Sequence, residues 1–267
     1  MADEAPLPVI ASVRAAFSFF TQHWRRFALA AALPVPFLFG AWLQSANVVN
    51  SAGLLAVATI AAIPYRAAMF RFALRGEYDG VSGLRLGEDE GRLAIVAFLY
   101  GLFLMLVFVV ALAPLAVLVL GVTAASGDPA ALEAAAGDSA AALAAMGSTG
   151  RAIFSAGWAL IVCLMLFVGV RLILAAPATI AEGRIVFLKS WPWTKGSFFR
   201  LLAAVVLATL PGIAAQAALM SLAVAVGQSA ALLAIFVVAA LYAGSLIGGM
   251  MGAGVLAFIY RGLRPPA

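Results

Sequence analysis

Three arginines, Arg66, Arg71 and Arg75, interrupt the otherwise apolar stretch "AAIPYRAAMFRFALRG" at residues 61 to 76. A guanidinium stays charged at any physiological pH and is costly in hydrocarbon. Such residues either line a polar path through a membrane or mark where the membrane ends. Other side chains that could do chemistry are few: the chain has one histidine, His23, and one cysteine, Cys163. Zinc clusters, Cys–His pairs and His-based triads cannot be assembled from that inventory. No Walker A lysine loop and no G-x-S-x-G nucleophile elbow occurs. The expectation is a protein that is not an enzyme and that needs no metal or cofactor, with Glu182 left open as an interfacial base. His23 reads as a solvated histidine at headgroup level. Cys163, inside an apolar run, reads as a small buried hydrophobe.

The elements that carry these residues follow from composition. Of 267 residues, 66% are hydrophobic and 10% charged, against about 25% charged in a soluble domain, and the mean hydropathy is +1.12. Apolar runs at about 27–45, 51–74, 93–122, 152–176, 198–222 and 229–260 predict six transmembrane helices. The fold class is therefore all-α integral membrane. Pro34, Pro36, Pro64, Pro114 and Pro211 are candidate kinks, tolerated where neighbouring helices satisfy the freed carbonyls. The acidic start, "MADEAPLP", is a poor match to a cleaved leader, so the first span is expected to stay in the mature protein.

With six spans, every Lys and Arg except Arg151 falls on the side of the two termini. The positive-inside rule then makes both termini cytoplasmic. The organisation expected is a single polytopic domain over 1–267. It comprises a cytoplasmic interfacial helix at 1–26, spans 1–3 at 27–122, an external loop at 123–151, spans 4–6 at 152–260 and a cytoplasmic tail at 261–267. In "VIASVRAAFSFFTQHW", Val9, Ile10, Val13, Phe17, Phe20 and Trp24 share one helical face, with Arg14, Ser18, Thr21, Gln22 and Arg25 on the other. That pattern suits a helix in the membrane interface. The segment 179–196 reads the same way, with Ile180, Phe187 and Trp191 opposite Glu182 and Lys189. Segment 77–92 is short and glycine-rich.

Odd spans begin just after an arginine ("RRFALAAALP", "GRLAIVAFLY", "FRLLAAVVLATLP") and even spans end on one ("PYRAAMFR", "GVRLILAAP", "FIYRGLR"). Three uses of one unit, an interfacial segment plus a helical hairpin, would produce this; so, in part, would the general attraction of arginine to cytoplasmic boundaries. Arg66 lies roughly 21 Å along its helix from Ala52 at 1.5 Å per residue, within snorkelling reach of the cytoplasmic face. Arg71 and Arg75 then lie at or beyond the headgroups, and Arg171 close to the boundary. A snorkelling structural arginine is the plain reading of Arg66, contact with an anionic lipid or a phosphate the sharper one and a place on a transport path the third, and a pair with Glu182 would suit the first two.

No Asp or Glu occurs within the six apolar runs, which argues against an ion-coupled carrier. Gln44, Thr59, Ser155, Gln216, Ser221 and Ser245 read as interhelical hydrogen-bonding groups. In "GSLIGGMMGAG", Gly244, Gly248 and Gly252 form a smooth ridge for close helix contact, inside the bundle or as a homodimer seam.

The stretch 168–201 carries Arg171, the pair Ala176–Pro177, Glu182, "KSW" and Thr194–Lys195–Gly196. It resembles a pattern in bacterial six-span membrane proteins similar to the membrane domain fused to some glycerophosphodiester phosphodiesterases. The resemblance is specific over this stretch and topological elsewhere. It implies a stand-alone polytopic domain of the bacterial inner membrane, associated with lipid or envelope processes. The phosphodiesterase domain itself is not expected, because one histidine cannot supply its metal and acid–base set. The function expected is a non-catalytic contact with anionic lipid or a membrane protein partner at the cytoplasmic face, through Arg66, Arg71, Arg171, Glu182, Arg184, Lys189, Trp191 and Lys195. No nucleic acid partner is expected. A carrier or permease for a small or lipid-like solute is the alternative.

Overall fold

The computed structural model describes residues 7–45, 47–78, 83–126, 147–226 and 229–263, and these are helical with no strand among them. Most of the expected loop at 123–151, part of the 77–92 segment and the end of the tail lie outside the described residues. The helices are α1 (Val9–Phe27), α2 (Val35–Leu43), α3 (Val48–Ala61), α4 (Ile63–Arg75), α5 (Glu88–Ser126), α6 (Ser148–Leu172), α7 (Ala175–Glu182), α8 (Ser190–Trp193), α9 (Phe198–Val226), α10 (Ala230–Ala243) and α11 (Gly249–Leu263).

Among the described residues five stretches are long and apolar enough to cross a membrane: Val49–Arg75, Glu88–Val119, Ser148–Glu182, Phe198–Ala225 and Ala230–Leu263. A sixth exists if the bent pair Val9–Phe27 and Ala30–Leu43 is counted as one span. The two limbs of that pair meet at 86°. The expected first span at 27–45 therefore corresponds to a limb only about 21 Å long at 1.5 Å per residue, short of the roughly 30 Å hydrocarbon core. The break falls at Ala28–Leu29, where α1 gives way to a 3-10 turn at Ala30–Ala32 just ahead of Pro34 and Pro36. The carbonyls freed at the end of α1 are not left bare. Tyr78 donates its hydroxyl to Arg26 O at 2.9 Å and Tyr242 donates to Ala28 O at 2.8 Å.

Three further stretches are interrupted. Between α3 and α4 the chain passes Ala62 just ahead of Pro64; between α6 and α7 it turns at Ile173–Leu174; between α10 and α11 it winds through a π-helical segment, Gly244–Gly248. Tyr65 donates its hydroxyl to Ser245 O in that segment at 3.2 Å.

The chain divides into two compact units, 1–98 with 170–267, and 99–169. In the larger unit α11 packs into two apolar clusters. Met250 and Ala253 face a core with Phe27, Tyr65 and Phe70, while Met251, Val255 and Ile259 face another with Leu174, Leu201 and Ala204. Helix α1 crosses α11 so closely that a Cβ on Gly254 would lie 3.1 Å from the Ala16 Cα. Helix α9 approaches the π-helical segment backbone to backbone: a Cβ on Gly212 would lie 2.6 Å from Gly248 N, and one on Gly244 2.8 Å from Gln216 Oε1. The ridge of Gly244, Gly248 and Gly252 thus takes α9 within the same chain, with Thr209 beside Gly252 at 4.0 Å.

In the smaller unit Leu115 packs over Gly157, and Phe108 meets Trp158 edge-on at 6.1 Å. Its outer surface is apolar, with Met105, Val110, Leu160 and Val162 all more than half exposed. Cys163 is exposed among them, so its expected burial is corrected: the thiol lies on this outward apolar face.

Two expectations about amphipathic segments are refined. On α1, Ser12, Ala16 and Phe27 are the buried residues, while Ile10, Phe17 and Trp24 of the expected apolar face are exposed. The 179–196 segment is not one amphipathic helix. Helix α7 stops at Gly183 with φ +62°, and the buried Thr179 hydroxyl both accepts from Val186 N at 3.1 Å and donates to Val186 O at 3.3 Å, folding the chain back.

The glycine contact is open to a direct check. Gly212→Ala should lower the unfolding free energy in detergent by about 1–3 kcal/mol, as overpacking does. Gly53→Ala, where no heavy atom lies within 4 Å, should be neutral or stabilising.

Candidate functional site

Helix α4 ends with Arg71 and Arg75 one turn apart, hence on one face. Helix α5 opens with Glu88, Asp89 and Glu90, which suits the positive end of its helix dipole. The link between them turns at Gly76 and Gly83, both at positive φ. This brings the two ends together around a cluster of opposite charges.

Arg71 is 2% exposed, Asp89 5% and Glu90 4%. The Arg71 Nη1 donates to Glu90 Oε1 and lies 3.9 Å from Asp89 Oδ2, while its Nη2 donates to Gly83 O at 3.0 Å. The second Glu90 oxygen accepts from Gly87 N at 2.9 Å. Asp89 accepts from Arg75 at 3.1 Å, and from Arg85 and Arg92 at 3.5 Å each. Arg75 also donates to Ile180 O, which ties α7 to the cluster. Burying an unpaired ion costs several kcal/mol, so these charges are tolerable only as a set. Beside the cluster is an open cavity of about 420 Å³, lined by Arg75, Arg85, Gly87, Glu88, Asp89 and Arg92.

The residues singled out from sequence are not gathered at one place. Arg71, expected at a headgroup-facing boundary, is corrected: it is buried and engaged by Glu90 and Asp89, so it offers nothing to a lipid. Arg66 is exposed on α4. Arg171 donates to Thr194 Oγ1 at 3.4 Å with its guanidinium 5.8 Å over Trp191, and Thr194 donates to Trp191 O at 3.0 Å. These contacts close the loop between α6 and α9, helped by Gly196 at φ +80°. Glu182 accepts from Arg184 Nη2 at 2.6 Å and Nε at 2.9 Å, and from the Tyr260 hydroxyl at 3.5 Å. Lys189 and Lys195 are exposed. His23 is not simply solvated: its ring meets Phe72 edge-on at 4.7 Å, and its Nδ1 is buried.

Sequence reasoning missed Arg75, Arg85, Asp89, Glu90 and Arg92 as a unit. The signal was present in the acidic triplet ahead of span 3 and in the four-residue spacings Arg71/Arg75, Arg85/Asp89 and Glu88/Arg92. Among the described residues no group of three or more His, Cys, Asp or Glu is placed to hold a metal ion. No family model, no curated protein and no solved structure matches this chain.

The buried and exposed acids should behave differently. Glu90→Gln, which removes the charge opposite Arg71, should cost about 3 kcal/mol in detergent unfolding. Glu88→Gln, at an 82% exposed side chain, should change stability by less than about 1 kcal/mol.

Proposed function

We propose that this is a non-catalytic, six-span protein of the bacterial inner membrane that contacts anionic lipid at its cytoplasmic face, with both termini on that side. The resemblance to the membrane domain of glycerophosphodiester phosphodiesterases belongs to this reading. The observation that carries it is a charge imbalance. Every carboxylate among the described residues, Glu77, Glu88, Asp89, Glu90 and Glu182, lies within ion-pair distance of an arginine. Arg14, Lys189, Lys195 and Arg200 are exposed and have no carboxylate partner among the described residues.

Large apolar side chains accompany these cations. Ile10, Phe17 and Trp24 are exposed on α1, Leu188 lies beside Lys189, and Phe199 lies beside Arg200. Apolar groups that enter the acyl boundary next to cations that stay among headgroups are the hallmark of interfacial binding. Helix α1 meets the following limb nearly at a right angle, the orientation that lays it along the surface if that limb runs across the membrane. Each cation gains about 1 kcal/mol near an anionic leaflet, so several together favour anionic over zwitterionic neighbours strongly.

The test is native mass spectrometry on protein released from its own membranes. The wild type should carry phospholipid enriched in anionic species relative to the membrane. The triple variant Lys189→Gln/Lys195→Gln/Arg200→Gln should bring that enrichment down toward membrane composition. A bare protein, or lipid retained in proportion to the membrane by the wild type, contradicts the reading.

A further inference from the structure

Arg26, in the last turn of α1, is exposed, yet it is held in place. Its guanidinium stands 5.3 Å from the centre of the Phe72 ring and 5.6 Å from that of Tyr78. These two rings meet edge to face at 5.9 Å and so form a corner, which Phe27 braces at 5.7 Å from each. Tyr78 also donates its hydroxyl to Arg26 O at 2.9 Å, gripping the residue by its backbone as well as by its head. Aromatic rings attract a guanidinium without consuming its N–H donors. Among the described residues those donors make no hydrogen bond and no ion pair. Arg75 and Arg92, by contrast, are already engaged by Asp89.

We propose that Arg26 binds the phosphate of a phospholipid headgroup, with Arg25 beside it and Leu29 and Leu33 against the acyl chains. A guanidinium offers phosphate oxygens paired hydrogen bonds. One that aromatic rings already hold loses little freedom on binding, so ordering offsets little of the gain. Arg25 is exposed too, with its guanidinium 5.5 Å over Trp24. The apolar part of a lipid also finds contacts here, since Trp24, Leu29 and Leu33 are 40%, 66% and 39% exposed. The chain leaves α1 at this point and enters the limb Ala30–Leu43 at 86°. If that limb crosses the membrane, Arg26 lies at headgroup level and Leu33 below it. The lipid source of the phosphate rests on the function proposed above; the phosphate chemistry does not.

His23 supplies a reporter built into the site. It is the single histidine of the chain and stands one turn before Arg26 on α1. Its ring meets Phe72, the ring that carries Arg26, edge-on at 4.7 Å, and Phe19 at 5.5 Å. A charge arriving on Arg26 therefore changes the surroundings of one imidazole that no other histidine signal overlaps.

The experiment is an NMR titration of the full-length protein, carrying ¹³C-labelled histidine, in a non-ionic detergent, with isothermal titration calorimetry on the same samples for affinity. The probes are dioctanoyl phosphatidic acid, dioctanoylglycerol and inorganic phosphate. Phosphatidic acid should shift the His23 ring signals saturably, and dioctanoylglycerol, which lacks the phosphate, should leave them in place. Arg26→Gln should weaken phosphatidic acid binding about tenfold, the worth of one charged hydrogen bond. Arg26→Lys keeps the charge but loses the planar fork, and should weaken it several-fold. Arg14→Gln, roughly 18 Å back along α1 at 1.5 Å per residue and beyond the screening length, should change it less than about twofold. Equal losses in Arg14→Gln and Arg26→Gln mean diffuse attraction and overturn the proposal, as does a His23 signal that phosphatidic acid leaves unmoved. Inorganic phosphate binding as tightly as phosphatidic acid overturns the headgroup assignment. Should Arg26→Gln not fold, Arg26→Lys replaces it, and unchanged affinity there overturns the proposal. The two proposals fail separately. A negative titration with lipid retention that depends on Lys189, Lys195 and Arg200 removes only this site. Absent retention with a positive titration removes only the wider belt.

Discussion

A guanidinium that loses its water must bring anions with it, and Arg71 brings Asp89 and Glu90. That requirement fixes more than one pair. It holds the end of α4 against the start of α5, so the link between them has to turn twice within a few residues at Gly76 and Gly83. Arg75 extends the same node to the last turn of α7 through Ile180 O, and Arg261 reaches from α11 to Ala73 O at 2.6 Å. Four helix ends are therefore tied by arginine side chains. Helix C-termini carry unsatisfied carbonyls, and cations are their natural partners. The arginines that look like a membrane boundary in the sequence are also the fastenings of the fold.

The broken helices follow the same logic with neutral donors. Each interruption frees backbone carbonyls, which are costly to leave bare in a poorly hydrated setting. Tyr78 and Tyr242 serve those at the end of α1, and Tyr65 serves one in the π-helical segment. Glycine supplies the second half of the solution, letting α9 meet the π-helical segment closely enough that no side chain fits between Gly212 and Gly248. Without a hydrophobic drive between helices in lipid, such close contacts and hydrogen bonds carry the packing.

Long-period features were legible in the sequence. Apolar runs locate the helices because every backbone group of a spanning segment must be satisfied within it, and the spacing of Gly244, Gly248 and Gly252 announced a close helix contact. Features that depend on which ends meet were not. Arg71 reads as exposed when depth is counted along its own helix, and only the approach of α5 buries it. Glu88, Asp89 and Glu90 precede an apolar run and so look like solvated residues, although two of them end up enclosed. The boundary between α1 and the limb Ala30–Leu43 shows in hydropathy, but the 86° bend there does not, because the tyrosines that serve its carbonyls lie far away in sequence. Gly183 looked like one more residue of an amphipathic segment until its positive φ and the Thr179–Val186 bonds reversed the chain there.

The interdependence of Arg71 and Glu90 is the claim on which the rest stands, and a double-mutant cycle of Arg71→Met and Glu90→Met, read as unfolding free energy in detergent, addresses it most directly. Each single change should be strongly destabilising, because it strands a buried charge. The double variant should recover, with a coupling energy of about 2 kcal/mol or more. Losses that simply add, with no recovery in the double variant, would contradict the account.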